Sequence, residues 1–116
     1  MKLMKKTVVY EVNKSKFIPY FFNIETVEEI NSIIQKIKKE HKKARHICYA
    51  YIINEQKMGF FDDGEPRGTA GKPLLCFLQL KKQMNSLIIV VRYFGGTKLG
   101  AGKLLRSYVK AASLII

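Results

Sequence analysis

The sequence contains no tryptophan, only two cysteines and three prolines, and no long apolar run. Cys48 and Cys76 lie in unrelated segments, so they cannot form the framework of a disulfide-stapled secreted domain. Neither has Cys-x-x-Cys spacing or a histidine pair, and we expect no metal and no cofactor. No run approaches the roughly 20 apolar residues of a membrane span. The stretch Thr7 to Tyr10 after the first lysines is too short for a signal peptide, so we expect a reduced, cytoplasmic protein without membrane contact.

The length of the chain bounds the number of domains. Its 116 residues suffice for one domain with a single core, so we take residues 1–116 as one domain. Hydrophobic residues make up 47% and charged residues 26% of the sequence. Such values are typical of globular proteins and exclude disordered and collagen-like chains.

Acidic residues are missing from residues 66–116, which hold nine Lys or Arg and neither Asp nor Glu. All nine acids lie in residues 1–65 together with 12 basic residues, so +9 of the net charge of +12 falls in the C-terminal half. A field of this sign attracts polyanions, and the candidates are RNA, DNA, the ribosome and anionic lipid. The alternative is a solvated, lysine-rich surface that serves solubility.

The first part of the sequence predicts a β-hairpin followed by a helix. Residues 7–12 and 16–22 are β-branched and aromatic, with turn residues between them. Pro19 cannot donate to a sheet, which predicts an edge strand or an interruption there. Residues 26–41 have helical apolar spacing, and Thr26-x-x-Glu29 predicts a capping box at the start of this helix.

The remaining segments predict two further strands and two further helices. Residues 46–54 and the continuous apolar run 86–94 have strand length, and residues 54–59 are expected to be a connection. Residues 70–80 predict a short helix that Thr69 would cap. A closing helix follows the glycine-rich loop that begins at residue 95.

The element order predicts the fold class. The order ββαβαβα contains no repeat and is typical of an α+β fold. We expect a two-layer sandwich with about four strands and the helices on one face of the sheet. Cys48, Ala50 and Ile52 offer a small apolar face to helices, while Tyr49 and Tyr51 should lie on a partly open opposite face.

The most specific local feature is the glycine-rich loop of residues 95–102, between the last predicted strand and the closing helix. Glycines let the backbone approach a ligand closely, and N–H groups at a helix N-terminus bind anions. The spacing matches neither the Walker loop nor Gly-x-Gly-x-x-Gly, and a tight strand-to-helix turn is the structural alternative. The predicted anion or nucleic-acid site consists of Arg92, Gly95, Gly96, Lys98, Gly100, Gly102, Lys103 and Arg106.

A hydrolytic site is a further alternative. Nothing in the spacing requires one, because residues 62–66 are first of all turn-forming. Glu65 or Asp63 could equally pair with a basic residue, either Arg45, Arg92 or Arg106. The candidate residues would be His46 as the base, Asp62, Asp63 or Glu65 as its orienting carboxylate, and Thr69 or Cys48 as the nucleophile.

Two long motifs and two shorter ones resemble a known family. Residues 8–116 are similar to the N-terminal domain of the YigZ/IMPACT family, and the two long motifs together are highly specific. The motifs are Ser15-Lys16-Phe17, Ala44-Arg45-His46-x-Cys48-x-Ala50, Asp62-Asp63-Gly64-Glu65-Pro66-x-Gly68-Thr69-Ala70-Gly71-Lys72-Pro73 and Val90-Val91-Arg92-Tyr93-Phe94-Gly95-Gly96-x-x-Leu99-Gly100-x-Gly102.

The resemblance implies the fold of ribosomal protein S5 domain 2 and a role around translation. Eukaryotic relatives bind a regulator of the kinase that senses uncharged tRNA, and they associate with ribosomes. Lys103 departs from the pattern, because the family commonly has a glycine there. The resemblance also implies a functional turn made of Arg45, His46, Asp62, Asp63, Gly64, Glu65, Thr69 and Lys72.

Three hypotheses of function follow. The leading one is a translation-associated module that contacts RNA, the ribosome or a ribosome-associated regulator through the basic C-terminal half and the glycine-rich loop. The second is an enzyme that acts on a phosphorylated small molecule or a peptide, using that loop and the turn from Asp62 to Glu65. The third is a purely protein-binding regulator whose charge is incidental.

Overall fold

The computed structural model describes residues 8–116 and the backbone of residues 2–3. Thr7, the predicted start of the first strand, and the neighbouring Lys5 and Lys6 lie outside the described residues. The elements are β1 Lys2–Leu3, β2 Tyr10–Val12, β3 Ser15–Asn23, α1 Glu28–Glu40, β4 His46–Asn54, β5 Lys57–Phe61, α2 Gly71–Leu80, β6 Ser86–Tyr93 and α3 Ala101–Ser113.

The strands form one antiparallel sheet in the order β1-β3-β6-β4-β5, and β2 pairs with β3 as the predicted hairpin. The α+β class is therefore confirmed. The four predicted strands correspond to β2, β3, β4 and β6. The short strands β1 and β5 extend the sheet at its two edges, so it has more than the expected four strands.

The helices lie on both faces of the sheet, so the prediction of two layers with helices on one face is wrong. The apolar side of α1 packs on Leu87, Ile89 and Val91 of β6, whereas α2 and α3 pack on Ile88 and Val90 of the same strand. The physical reason is that β6 is apolar at consecutive positions, and each of these five side chains is fully buried. A continuous apolar run of this kind is typical of a strand that is covered on both faces.

Pro19 lies within β3, which is not interrupted there, and the alternative prediction of an edge is met only locally, at this residue. Strand β3 continues through Pro19, which pairs in register with Val90 of β6. On its other side β3 has described neighbours only near its ends, where β2 and β1 pair with it. Pro19 falls between them, and a missing N–H is tolerated where a strand has a neighbour on one side.

The predicted connection 54–59 includes part of β5, a strand that sequence reasoning missed. Strand β5 is short, largely exposed and contains Gly59, so its sequence is only weakly typical of a strand. The Tyr51 side chain of β4 fills the space beside this glycine, since a Cβ atom on Gly59 would lie 2.8 Å from the Tyr51 hydroxyl oxygen. Tyr49 and Tyr51 are half-buried beside the α1 cluster, so the face expected to lack helices is covered by α1 and is open only beside these two residues.

Candidate functional site

A cavity of about 370 Å³ lies at the end of the sheet where β4 begins and β6 ends. The turn after β5 forms one wall, and the loop between β6 and α3 forms another. The fold thus brings the turn motif and the glycine-rich loop together, although they are distant in sequence. The lining residues are Arg45, His46, Gly64, Glu65, Pro66, Arg92, Phe94, Lys98, Leu99, Gly100, Ala101 and Leu104.

Asp63 organises the turn at the cavity wall. Its Oδ2 atom accepts a hydrogen bond of 2.7 Å from the backbone N–H of Ile47 in β4. Asp63 and Gly64 both have a positive φ, of 48° and 84°, a conformation that Asp tolerates better than most residues and that Gly adopts without strain. The predicted turn is therefore confirmed, and the Asp63 carboxylate serves to hold it against β4.

Asp62 caps helix α2. Its Oδ1 atom accepts a hydrogen bond of 2.7 Å from the backbone N–H of Gly71, the first residue of the helix. The prediction that Thr69 caps this helix is wrong, because the Thr69 hydroxyl donates to the carbonyl oxygen of Pro66 at 2.5 Å. Asp62 takes this role because the turn returns its carboxylate to the start of α2.

Glu65 forms a buried ion pair with Arg92. Arg92 Nη1 donates to the two carboxylate oxygens at 3.0 and 2.8 Å, and the Tyr108 hydroxyl donates to Oε2. Glu65 and Arg92 are each only 6% exposed. The predicted pairing of these two residues is confirmed. Within residues 8–116, however, the buried Nε of Arg92 has no hydrogen-bond partner.

Cys48 extends the hydrogen bonds around Glu65. Its Sγ atom lies 3.3 Å from the Tyr108 hydroxyl oxygen and 3.1 Å from the Asp62 carbonyl oxygen. Burial raises the pKa of both the Cys48 thiol and the Tyr108 hydroxyl. A thiol held protonated is a poor nucleophile. Neither Cys48 nor Thr69 lines the cavity, so the geometry does not support the triad in which one of them attacks a substrate.

The imidazole of His46 lies at the cavity wall in a fixed orientation. Its Nδ1 atom lies 2.6 Å from the carbonyl oxygen of Asp63. Because a carbonyl oxygen can only accept, we assign the ring proton to Nδ1. The other nitrogen, Nε2, lies 3.5 Å from Oε1 of Glu65. His46 therefore presents an oriented nitrogen beside a carboxylate at the cavity.

Cationic side chains line the cavity at different depths. The Arg45 guanidinium is exposed and lies 4.7 Å from the centre of the Phe94 ring, a favourable cation–π distance. Lys98 is exposed, whereas Arg92 is buried behind them. Because Glu65 balances Arg92, Arg45 and Lys98 give the lining a net positive charge.

The glycine-rich loop has its shape for two different reasons. A Cβ atom on Gly95 would lie 2.2 Å from the carbonyl carbon of Lys14, so the loop approaches the hairpin too closely for a side chain. Gly96 and Gly100 have φ values of +92° and +78°. Gly100 is also the N-cap of α3, and within the described part of the chain no side chain caps this helix. The first N–H groups of α3 thus carry partial positive charge at the cavity edge.

Several predicted site residues lie outside the cavity. Gly102, Lys103 and Arg106 lie on the exposed surface of α3. Lys72 lies on α2 and lines a different groove, between α2 and α3. The predicted anion-binding set is therefore divided between the cavity and the outer surface of α3. The members that line the cavity are Arg92, Lys98 and Gly100.

Sequence reasoning missed the role of Tyr108. This residue lies on the apolar face of α3 and is fully buried there. A buried tyrosine hydroxyl usually needs a hydrogen-bond partner, which here is Glu65. A hydroxyl group on an otherwise apolar helix face indicates that a polar partner is needed, but the sequence does not show which acid provides it.

The part of the chain that the structure describes contains neither a metal-binding cluster nor a membrane-spanning helix. Within it, no three His, Cys, Asp or Glu side chains are grouped as a metal site would require. No helix of that part combines the length and the apolar character needed to cross a membrane.

The sequence is similar to several curated proteins. It is 47% identical over 106 residues to IMPACT family member YvyE of Bacillus subtilis, covering 88% of this chain and 48% of that protein. It is 42% identical over 106 residues to YigZ of Escherichia coli, with 88% and 52% covered. Protein IMPACT-B of Xenopus tropicalis is 33% identical over 92 residues, with 75% and 29% covered. The chain thus spans about half the length of these bacterial relatives.

Solved structures give the same result at the level of the fold. A crystal structure described as that of a hypothetical protein matches with a TM-score of 0.88 and 39% identity, over 93% of this chain and 54% of that one. The two-domain translational regulator Yih1 matches with a TM-score of 0.53 and 19% identity, over 93% and 44%. The family model of the Impact N-terminal domain matches residues 13–116. The chain therefore belongs to the IMPACT family, and it contains the N-terminal domain of that family.

Proposed function

We propose that this domain is a translation-associated module that binds RNA, and ribosomal RNA in particular, through the cavity and the neighbouring surface of α3. The relation to translation is supported by the family, since Yih1 is described as a translational regulator and shares the fold. The proposal concerns this domain alone, because the chain spans about half of its bacterial relatives. It places the protein in the cytoplasm, where ribosomes are.

The observation that carries the proposal is the different use of acids and bases around the cavity. The carboxylates of Asp62, Asp63 and Glu65 all accept hydrogen bonds from groups inside the domain. Arg45 and Lys98, in contrast, are exposed at the same place. Glu65 is buried and Asp62 and Asp63 are half-buried, so the exposed charges at the cavity are cations, which attract anions.

A phosphate group matches the donors that the cavity offers. The first N–H groups of α3 lie at the cavity edge, and such a helix end binds anions when cationic side chains are near it. Arg92 supports this assignment, because its buried Nε lacks a partner within the described residues. Beyond the cavity, Lys103, Arg106 and Lys110 are exposed along α3. The repeated negative charge of a nucleic-acid backbone fits such an extended surface.

The test is sedimentation of the protein with ribosomes and with ribosome-free RNA over a series of salt concentrations. We expect the affinity for both to fall steeply with salt. The double variant Lys98→Ala/Lys103→Ala should weaken binding and reduce the salt slope by about 0.7–0.9 for each lost phosphate contact. The control is Lys36→Ala/Lys39→Ala on α1, which removes the same charge from exposed positions across the sheet.

Two results would overturn the proposal. Equal losses in the two double variants would show that only the total charge matters. Ribosome binding that resists both salt and the Lys98/Lys103 substitutions would identify a protein-binding regulator instead. A result of that kind would leave the glycine-rich loop as a structural turn.

A second candidate function is an enzyme that acts on a phosphorylated small molecule or peptide. The observation that favours it is the oriented Nε2 of His46 in a cavity shared by the glycine-rich loop and the Asp62–Glu65 turn. Variants of Asp63 or Glu65 cannot test this idea, because both side chains hold the fold together. His46→Gln is the informative variant, with phosphate release from a panel of phosphorylated compounds as the assay. Turnover that this variant abolishes without loss of stability would support the enzyme.

A further inference from the structure

A second concave surface lies between α2 and α3, away from the cavity. It is a groove of about 400 Å³ whose walls are almost entirely apolar. Leu80 is 81% exposed and Leu105 is 37% exposed beside it. The groove is lined by Gly68, Lys72, Pro73, Cys76, Phe77, Leu80, Leu105 and Val109. We call this surface the α2–α3 groove.

The composition of α2 is unusual for a helix at the surface. Of its ten residues, Gly71–Leu80, only Lys72 and Gln79 have long polar side chains. One side of the helix, with Leu74 and Leu78, is buried against the sheet. The other side carries the apolar residues of the groove. A helix that is apolar on all sides is normally covered on all sides, so the groove has the character of an interface.

The charges around the α2–α3 groove define its partner. Lys72 lines the groove, and the ammonium group of Lys81 lies 5.7 Å from the centre of the Phe77 ring. Residues 66–116 hold no acid, and within the described residues neither lysine forms an ion pair with the acids of residues 1–65. An occupant must therefore combine apolar side chains for the floor with carboxylates for the rim.

We propose that the α2–α3 groove binds an acidic amphipathic helix of a partner protein. A helix presents apolar side chains one turn apart at i, i+4 and i+7, and such rows fit between two helices. A second copy of this chain is disfavoured, because its own groove would bring Lys72 and Lys81 against the same cations. RNA is disfavoured as well, because the one aromatic ring among the lining residues, Phe77, is only 8% exposed for stacking.

The probe is a fluorescein-labelled peptide of about 20 residues, long enough to form a helix, composed of Glu, Ala and Leu. Three leucines fall on one helical face at i, i+4 and i+7. The first control peptide has the same composition with its leucines distributed around the helix, and the second has Lys in place of Glu. We expect the wild-type protein to raise the fluorescence anisotropy of the first peptide only.

The matched protein variants test the apolar lining of the groove and the lysines beside it separately. Leu80→Ser/Leu105→Ser should weaken peptide binding by at least about tenfold, since burial of one leucine is worth about as much as a tenfold change in affinity. Lys72→Glu/Lys81→Glu should weaken it and reverse its salt dependence, because the like charges then repel and salt screens that repulsion. Leu114→Ser, at a residue 44% exposed outside the groove, and Lys36→Glu on α1 should bind as the wild type does. Urea unfolding confirms that each variant is folded, and Leu80→Ser alone replaces the double variant if Leu105→Ser unfolds.

Cys76 provides an independent readout, because it lines the groove and is exposed, whereas Cys48 is buried. Bound peptide should slow alkylation of Cys76 by iodoacetamide. Failure of the first peptide to bind, or equal binding of the rearranged peptide, would overturn the proposal. Protection of Cys76 by RNA would assign the groove to RNA instead. A wild-type dimer that becomes monomeric in Leu80→Ser/Leu105→Ser would assign it to a second copy. None of these results depends on the Lys98 and Lys103 variants that test the proposed function.

Discussion

The buried charges and the exposed charges at the cavity end of this domain have different roles. Glu65 and Arg92 are buried and pair with each other, and Glu65 accepts a further hydrogen bond from Tyr108. Lys98 and Lys103, only a few residues further along, are exposed on the loop and on α3. Buried charges need partners from within the protein, whereas exposed ones remain available to a ligand. The motif residues Glu65 and Arg92 are thus structural, whereas the exposed lysines, which the family motif does not specify, are free to bind.

The acids of the motif are held by the fold and do not pair with the exposed cations of the cavity. Asp62 and Asp63 accept backbone hydrogen bonds at the starts of α2 and β4. Their role is to fix the turn that supports Glu65. Among the described residues, neither Arg45 nor Lys98 forms an ion pair with these acids, so both remain accessible.

The largest effect is expected from Glu65→Gln. The amide keeps the shape of the side chain but leaves the Arg92 guanidinium charged and unbalanced in a buried site. We expect the free energy of unfolding to fall by about 3–5 kcal/mol. Urea unfolding measures this, with the exposed Glu55→Gln as the control, expected within about 0.5 kcal/mol of the wild type. A loss below about 1 kcal/mol would show that the pair is not the structural part of the motif.

The second prediction separates the shape of the glycine-rich loop from its charge. Gly95→Ala should destabilise the domain by about 2–3 kcal/mol, because the new methyl group would overlap the backbone of Lys14. Gly96→Ala should cost about 1–2 kcal/mol, because its positive φ is strained for alanine but no described residue lies within 4 Å of the added Cβ. Urea unfolding of both variants gives the order. The reverse order would contradict the close approach of the loop to the hairpin.

Much of this fold could be predicted from the sequence, since local patterns determined the elements. The helix from residue 26 to residue 41 and the strand His46–Asn54 follow from apolar spacing, and the structure contains both. The layer arrangement could not be predicted so directly. The side chains of residues 87–91 alternate between the two faces of the sheet, and all five are fully buried. Helices must therefore cover both faces, but an apolar run by itself does not show whether one face or both are covered.

The candidate site was predictable in its parts and not in their assembly. The turn and the glycine-rich loop were each identified from residue types, but 26 residues separate Glu65 from Arg92 in the chain numbering, and only the fold joins them. Lys103 and Arg106 were grouped with Lys98 because they are near in sequence. Helix α3 turns them away from the cavity, a direction that spacing alone does not give.

The third prediction compares the exposed lysines with each other. Lys98→Ala removes a cation that lines the cavity, whereas Lys103→Ala removes one from the outer surface of α3. We expect Lys98→Ala to weaken binding of inorganic phosphate and RNA, and Lys103→Ala to weaken RNA binding alone. Both should leave the unfolding free energy within about 0.5 kcal/mol of the wild type. Equal effects on phosphate would show that the cavity has no special role.

The smallest effect is expected at Glu29. Like Glu65, this acid accepts hydrogen bonds from groups within the domain, but it lies at the surface. Its Oε2 atom accepts hydrogen bonds from the backbone N–H groups of Glu25 and Thr26 at 2.7 and 2.8 Å, and these bonds lower the pKa of the Glu29 carboxyl. A carboxyl with a lower pKa in the folded state stabilises the protein above its unfolded pKa of about 4.3, and this contribution is lost as the pH falls through the folded value. Glu29→Gln should therefore slightly lower the urea midpoint at pH 7 and converge with the wild type in acid, while Glu55→Gln shows no such trend. A difference that is independent of pH would mean that the negative charge of Glu29 does not stabilise the start of α1. In that case the buried carboxylate of Glu65 would stabilise the domain through its charge, and the surface carboxylate of Glu29 would not.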